Sequence, residues 1–162
     1  MKILRISDQE FNQIDGTRKI IAEEYARQFA ALELGDTVYG LAWNSGELIE
    51  PEVVLSQLGQ AAWVGVNQYL VAIEMGTRHV RVSMKLSSNI LEIIPVERLV
   101  AVRAETEILL FNPDFSILFD EIFPDITEEI SIVDDKLEVR FMEGYSLVLD
   151  LQTGSISRPE YV

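Results

Sequence analysis

Carboxylates are the most abundant side chains of this chain that could do chemistry, and several occur in adjacent pairs. The 162 residues include 27 Asp and Glu against 13 Lys and Arg, which gives a net charge of −14. The pairs are Asp120-Glu121, Glu128-Glu129 and Asp134-Asp135. Two acids facing one cleft can hydrolyse a glycosidic bond. Because neighbouring residues of a strand point to opposite faces of a sheet, the pairs indicate solvated acids rather than a catalytic site.

The same region offers oxygen ligands for a divalent cation. Calcium is held by several oxygens around one loop, and Asp120, Glu121, Asp125, Glu128 and Glu129 could supply them. However, the chain has no Asp-x-Asp-x-Asp-Gly pattern. A carboxylate-based, cation-dependent enzyme or binder is therefore the alternative prediction, and the main prediction includes no metal and no cofactor.

Other catalytic chemistries lack their residues. The chain contains no cysteine and a single histidine, His79, whereas zinc sites are built from several Cys and His side chains. The serines lack the Gly-x-Ser-x-Gly context of a hydrolase nucleophile. Arg78, Arg81 and Lys85 form one basic patch around His79, which has too few positive charges and no interleaved aromatics for a nucleic-acid site. The sequence therefore predicts a protein that is not an enzyme.

Negative charge is concentrated in the second half. Between Ala101 and Asp150 there are 13 acidic and 3 basic residues, so this half carries most of the net charge. Such a surface repels nucleic acids and anionic membranes and attracts a basic protein. We predict a non-enzymatic interaction module, of inhibitor or immunity type, that binds a basic partner. Its candidate surface comprises Asp120, Glu121, Asp125, Glu128, Glu129, Asp134 and Asp135.

The predicted cellular location rests on two features that the hydropathy pattern lacks, a membrane-spanning helix and a signal peptide. No apolar run approaches the ~18 residues of a membrane-spanning helix, and the apolar start of the chain is too short for a signal peptide. A cytoplasmic location is therefore predicted. No Pro- or Gly-rich linker divides the chain, so residues 1–162 are expected to form one domain.

A strand, a polar break, a second strand and a turn recur three times. The copies begin at Trp63, Leu99 and Leu137 and end at Gly76, Asn112 and Gly154. The run from Tyr145 to Gly154 resembles a blade repeat of β-propellers, and the resemblance extends from Trp63 to Ser157. It implies a mainly β fold: an antiparallel meander of about three four-stranded blade-like repeats. Because propellers need ~4–8 blades to close, we expect an open meander or one completed by a homodimer. A self-assembling structural module is the third functional hypothesis.

The N-terminal segment, residues 1–36, carries a different pattern. Ile21, Tyr25, Phe29 and Leu32 recur at helical spacing before Gly35, which predicts an amphipathic helix over residues 17–34 packed on the sheet. A short strand is predicted over residues 2–6. The β-rich region, residues 37–162, is expected to begin with a hairpin that turns at 44–46. Residues 51–58 fit a short helix better than a strand.

Overall fold

The computed structural model describes residues 1–45 and 49–157, and four four-stranded sheets organise this part of the chain. The first sheet is formed by the N-terminal segment. Its elements are β1 (Lys2–Arg5), helix α1 (Asp8–Asn12), a 3-10 turn (Gly16–Arg18), β2 (Lys19–Ala22), β3 (Gln28–Leu34) and β4 (Thr37–Trp43). The strand order is β1-β3-β4-β2, with β2 parallel to β4 and the other pairs antiparallel.

The other three sheets are antiparallel meanders in which consecutive strands pair. The second contains β5 (Glu52–Leu55), β6 (Ala61–Val66), β7 (Tyr69–Glu74) and β8 (Val80–Lys85). The third contains β9 (Ile90–Val96), β10 (Leu99–Ala104), β11 (Glu107–Phe111) and β12 (Ile117–Ile122). The fourth contains β13 (Thr127–Val133), β14 (Lys136–Phe141), β15 (Ser146–Asp150) and β16 (Ile156–Ser157). These sheets confirm the predicted mainly β fold, and the three sequence copies provide their second and third strands.

The helix predicted over residues 17–34 is wrong, because the segment forms a 3-10 turn and two strands. Ile21 and Leu32 are buried, but Tyr25 is 89% exposed with a positive φ of 58° in the loop between β2 and β3. Strand β3 is an inner strand of its sheet, and three consecutive residues, Ala30 to Leu32, are buried. Its apolar run therefore lacks the alternation of a half-buried strand, and periodicity alone cannot separate such a run from a helix.

Residues 51–58 also differ from the expected short helix. Glu52–Leu55 form the edge strand β5, in which Val53 pairs with Val64. The β-branched valines pack well on a pleated surface, and this tertiary pairing outweighs the helix-start signal of Pro51. The predicted strand over residues 2–6 is confirmed as β1. The turn expected at 44–46 falls partly outside the described residues.

The four sheets stack in series, and three apolar clusters fill the spaces between neighbours. Alternate residues of a strand face opposite clusters: Val64 of β6 packs toward the first sheet, and Trp63 packs toward the third. The third and fourth sheets enclose another cluster around Phe141. All six residues of β6 are buried for this reason, since both faces of an inner sheet are covered.

The first sheet covers one end of the stack, but its strands run in the opposite direction to the corresponding strands of a blade. Tyr39 lies near the start of β4, and its hydroxyl donates to the Arg78 carbonyl at 2.7 Å. The start of β4 therefore lies beside the turn between β7 and β8, which contains Arg78. At the other end, the Asn67 amide donates to the Asn44 carbonyl at 2.7 Å. Strand β4 therefore runs antiparallel to β7. The N-terminal segment packs on the meander, as predicted, but it does so as a sheet and not as a helix.

The two outward faces of the stack are closed differently. Phe11 of α1 packs on the first sheet, with its ring centroid 5.5 Å from that of Phe29. On the fourth sheet, Lys136, Glu138 and Arg140 alternate with buried residues of β14 and are exposed. Neither outward face is therefore a bare apolar surface.

Candidate functional site

An apolar cleft of about 240 Å³ opens between the second and third sheets. Trp63 of β6 and Val100 of β10 line it, and both are almost completely buried. Three turns complete the cleft: those after β5, after β9 and after β11. The turns after β5 and after β9 each join the first strand of a sheet to its second strand. We call this end of the stack the cleft end.

Two apolar side chains stand at the rim of the cleft. Leu58 is 74% exposed in the turn after β5, which Ser56 stabilises because its hydroxyl accepts from the Gln60 and Ala61 amides at 3.1 Å. Phe115 adopts a positive φ of 69°, which is rare for a bulky residue. Its ring centroid is 6.1 Å from that of Trp63. An exposed leucine and a phenylalanine with a strained backbone therefore stand beside a buried tryptophan at the mouth of the cleft.

Acidic residues occupy further turns at the cleft end. Asp134 and Asp135 form the two-residue turn between β13 and β14, which in the fourth sheet is equivalent to the turns that carry Leu58 and Glu97. Asp114 lies in the Phe115 turn and accepts from the Ser116 hydroxyl and amide. These hydrogen bonds lower the pKa of Asp114 and keep it ionised at neutral pH. The cleft therefore opens on an end of the molecule that carries several carboxylates.

The seven predicted site residues do not converge on one point. Asp120 and Glu121 lie on the edge strand β12, Asp125 follows β12, and Glu128 and Glu129 lie on β13. Within residues 1–45 and 49–157, no group of three His, Cys, Asp or Glu side chains is placed to hold a metal ion. Asp134 and Asp135 share the two-residue turn between β13 and β14.

Several of these acids have specific partners. The Glu129 carboxylate is 3.3 Å from the Arg140 guanidinium across the β13–β14 pair. Asp135 accepts from the Gln152 amide at 3.1 Å. Asp125 accepts a hydrogen bond from the Tyr145 hydroxyl. These contacts leave most of the carboxylates in contact with water, where they contribute negative potential.

Asp120 differs from the other predicted acids because it lies beside a buried carboxylate. Glu107 of β11 is only 5% exposed, and it accepts from the Ser87 amide and hydroxyl at 3.0 and 2.9 Å. Partial burial raises the pKa of Asp120, and a hydrogen bond and like charge from Glu107 raise it further. Nothing in the alternating pattern of β11 and β12 indicates this pair, because the contact depends on register.

Sequence reasoning also missed the rim of the cleft. The apolar spacing places Leu58 on the face of a helix that does not form, and the residues around Phe115 indicate only a turn. One signal is available for Leu58: a lone leucine between Gln57 and Gly59 fits neither an alternating strand nor a polar turn. Phe115 gives no comparable signal.

Comparison with known proteins supports the fold and goes no further. No family model and no curated protein matches this chain. BamB from Moraxella catarrhalis is 16% identical with a TM-score of 0.53, over 98% of this chain and 50% of that one. Sqt1 from Saccharomyces cerevisiae is 15% identical with a TM-score of 0.54, over 83% and 45% of the two chains. The fold is β-propeller-like. The chain spans half or less of the length of these structures, and identities this low establish the fold alone.

Helix α1 contains five residues, and no helix in the described part of the chain is long and apolar enough to span a membrane.

Proposed function

We propose that this protein is a non-catalytic interaction module that binds a basic segment of a partner protein. The observation that carries the proposal is the apolar cleft between the second and third sheets. In this proposal a large apolar side chain of the partner enters the cleft, and flanking Lys or Arg residues face the acidic turns of the cleft end. Inhibitors and immunity-type proteins act by this kind of binding, and the proposal assumes a cytoplasmic setting.

The dimensions of the cleft support a single anchoring side chain. A volume of about 240 Å³ is comparable with one large aromatic or aliphatic residue. Such a residue would bury Leu58 and the exposed part of the Phe115 ring when it bound. Burying apolar surface contributes roughly 25 cal/mol per Å², and anchors of this kind dominate the energy of protein interfaces.

Charge supports a basic rather than an acidic partner. Glu97, Asp114, Asp134 and Asp135 all lie in turns of the cleft end, against one arginine, Arg98, in the described lining of the cleft, and the whole chain has a net charge of −14. Long-range attraction of this size speeds association and selects the sign of the partner. The predicted acids outside the cleft end, Asp120, Glu121, Asp125, Glu128 and Glu129, would contribute to this field without touching the segment.

The alternative of self-assembly would need an apolar surface for a second copy. The exposed charges on the outward face of the fourth sheet and the cover of α1 on the first sheet favour the interaction module. In either case the acidic half of the chain remains the surface that a basic partner would approach.

A peptide selection tests this proposal and requires no identified partner. Random twelve-residue peptides displayed on phage are selected on the immobilised protein, and enriched peptides are titrated by calorimetry. We expect sequences that combine Lys or Arg with one aromatic residue or leucine. Their affinity should fall about tenfold or more in Leu58→Asp and stay unchanged in Ile122→Asp.

Ile122 is the matched control because it is 60% exposed and lies at the far end of β12, away from the cleft. Absence of enrichment above an uncoated surface would contradict the proposal. So would enriched peptides that are acidic, or that bind Leu58→Asp as tightly as the native protein.

A further inference from the structure

We propose that a groove between the first and second sheets binds the phosphate group of a small phosphate monoester. The groove has a volume of about 520 Å³. Three arginines, Arg18, Arg78 and Arg81, line it with His79, and the described residues of its lining include no Asp or Glu. A groove whose charged lining residues are all basic is unexpected in a chain with about twice as many acids as bases. This inference does not rest on the apolar cleft.

Arg78 is held in place by its surroundings rather than by a carboxylate. Its φ is +64°, and its carbonyl accepts the 2.7 Å hydrogen bond of the Tyr39 hydroxyl. One guanidinium nitrogen is 3.3 Å from the Met75 sulfur. The other lies so close to Gly35 that a Cβ there would be only 3.1 Å away. No carboxylate within the described residues forms an ion pair with Arg78.

Arg18 approaches the same groove from the 3-10 turn of the first sheet. The carboxylate of Asp15 at the start of this turn accepts from the Thr17 amide and hydroxyl at 2.8 and 2.6 Å, which lowers the pKa of Asp15. Among the residues that the structure describes, the Arg18 guanidinium forms no ion pair. It therefore keeps its hydrogen-bond donors available for an anion.

The positive charges act on one common point, the Tyr39 hydroxyl. Burial raises the pKa of Tyr39, while Arg18 and Arg78 both lower it through their charges. These two arginines come from different sheets, so the groove gathers them only in the folded chain. Arg81 also lines the groove, but its guanidinium is paired with Glu74 at 3.1 Å and lies over the Phe115 ring.

The chemistry of the lining fits phosphate. Guanidinium groups bind phosphate oxygens in pairs of parallel hydrogen bonds, and Thr37 adds a hydroxyl donor at the groove. The volume leaves room for a small organic group beside the phosphate. A nucleic acid is disfavoured because its other phosphates would meet the negative field of the protein. The ligand class is therefore a small phosphate monoester, with inorganic phosphate as the other source of the same group.

Calorimetric titration of the intact chain with glycerol 3-phosphate and with inorganic phosphate tests the inference at low ionic strength. We expect saturable binding, with amide NMR signals of residues 35–39 and 78–81 shifting on addition. Tighter binding of glycerol 3-phosphate would assign the groove to a monoester. Equal affinities would assign it to the phosphate group alone, and would overturn the inference of an organic ligand.

Arg78→Gln and Arg18→Gln should each weaken binding about tenfold or more, because each removes a charge-assisted hydrogen bond. Arg18 is exposed on a surface turn, so its variant remains informative if Arg78→Gln fails to fold. Arg140→Gln, on the outward face of the fourth sheet, is the matched control and should bind normally. The inference is overturned by absence of saturation at about 10 mM ligand, by full affinity in Arg18→Gln, or by tighter binding of a single-stranded RNA.

Discussion

The guanidinium of Arg81 lies 4.9 Å from the centre of the Phe115 ring. Arg81 lines the basic groove between the first and second sheets, and Phe115 lines the apolar cleft between the second and third. One cation–π contact therefore joins the two proposed sites across the edge of the second sheet. A ligand that draws the Arg81 guanidinium into the groove would remove its cation–π contact with the Phe115 ring.

This contact predicts measurable coupling between the two side chains. In a double-mutant cycle with Arg81→Gln and Phe115→Leu, urea unfolding should give a coupling energy of about 0.5–1 kcal/mol, the range of exposed cation–π pairs. The Arg81–Glu74 ion pair is lost in both arms that carry Arg81→Gln, so the cycle cancels it. Effects that add to within about 0.3 kcal/mol would show that the contact contributes nothing.

The turn between β13 and β14 predicts a separation of stability from binding. Asp134 and Asp135 have positive φ angles of 49° and 59°, the left-handed geometry that two-residue hairpin turns prefer to fill with Asn-Gly. Replacing them by Asn-Gly should relieve backbone strain and raise the melting temperature by about 2–4 °C, equivalent to about 1 kcal/mol. It also removes two carboxylates from the cleft end.

We therefore expect this variant to be more stable and yet to bind the selected basic peptides more weakly, by about twofold to fivefold for two exposed charges. Calorimetry with the same peptides measures the second effect. The single variant Asp134→Asn changes one charge and keeps Asp135. Its peptide affinity should lie between those of the native protein and the Asn-Gly variant. Unchanged peptide affinity in the Asn-Gly variant would remove Asp134 and Asp135 from the binding surface.

Because α1 packs closely on the first sheet, adding a single methyl group at Gly40 is expected to lower the stability of the protein. A Cβ at Gly40 would lie 3.0 Å from the Phe11 ring and 3.1 Å from the Ile14 side chain. Gly40→Ala should destabilise the protein by about 1–3 kcal/mol, the usual cost of overpacking, as measured by urea unfolding. Gly76→Ala is the control, since a Cβ there meets nothing within 4 Å. If α1 contributes little, the two variants will have equal stability.

The predictable part of the fold is the part whose strands pair with their neighbours in sequence. Strand β8 alternates between polar residues such as Arg81 and apolar residues such as Val82, and its pairing with β7 follows a short turn. The first sheet could not be predicted in this way. Strand β1 pairs with β3 across α1, the 3-10 turn and β2, and β3 is buried at consecutive positions, so its spacing fits a helix by coincidence.

The candidate sites are less predictable than the fold because each depends on stacking. Leu58 and Phe115 are far apart in sequence and line one cleft only because the second and third sheets pack through Trp63 and Phe111, whose ring centroids are 4.7 Å apart. The acidic surface is visible as composition, but composition gives no positions. The basic patch is visible in sequence at Arg78 and Arg81, whereas its third arginine, Arg18, comes from a segment whose spacing predicts a helix.

The Asp120–Glu107 pair predicts how stability depends on pH. Burial and Glu107 raise the pKa of Asp120 in the folded protein, so the folded state binds this proton more tightly than the unfolded state. The contribution of Asp120 to stability is therefore most favourable below its ordinary pKa, and it is lost as pH rises through the raised value. Asp120→Asn should be more stable than the native protein near pH 7, and this difference should shrink as pH falls toward 4.

Melting temperatures of both proteins between pH 4 and pH 7 measure this difference. Glu121→Gln is the matched control, because it removes one carboxylate from the next position of β12 and points to the other face of the sheet. It should share the general relief of charge repulsion in a chain of net charge −14. A larger gain in Asp120→Asn than in Glu121→Gln at pH 7 would isolate the effect of Glu107. Equal gains would mean that the proximity of the two carboxylates costs nothing beyond the overall field.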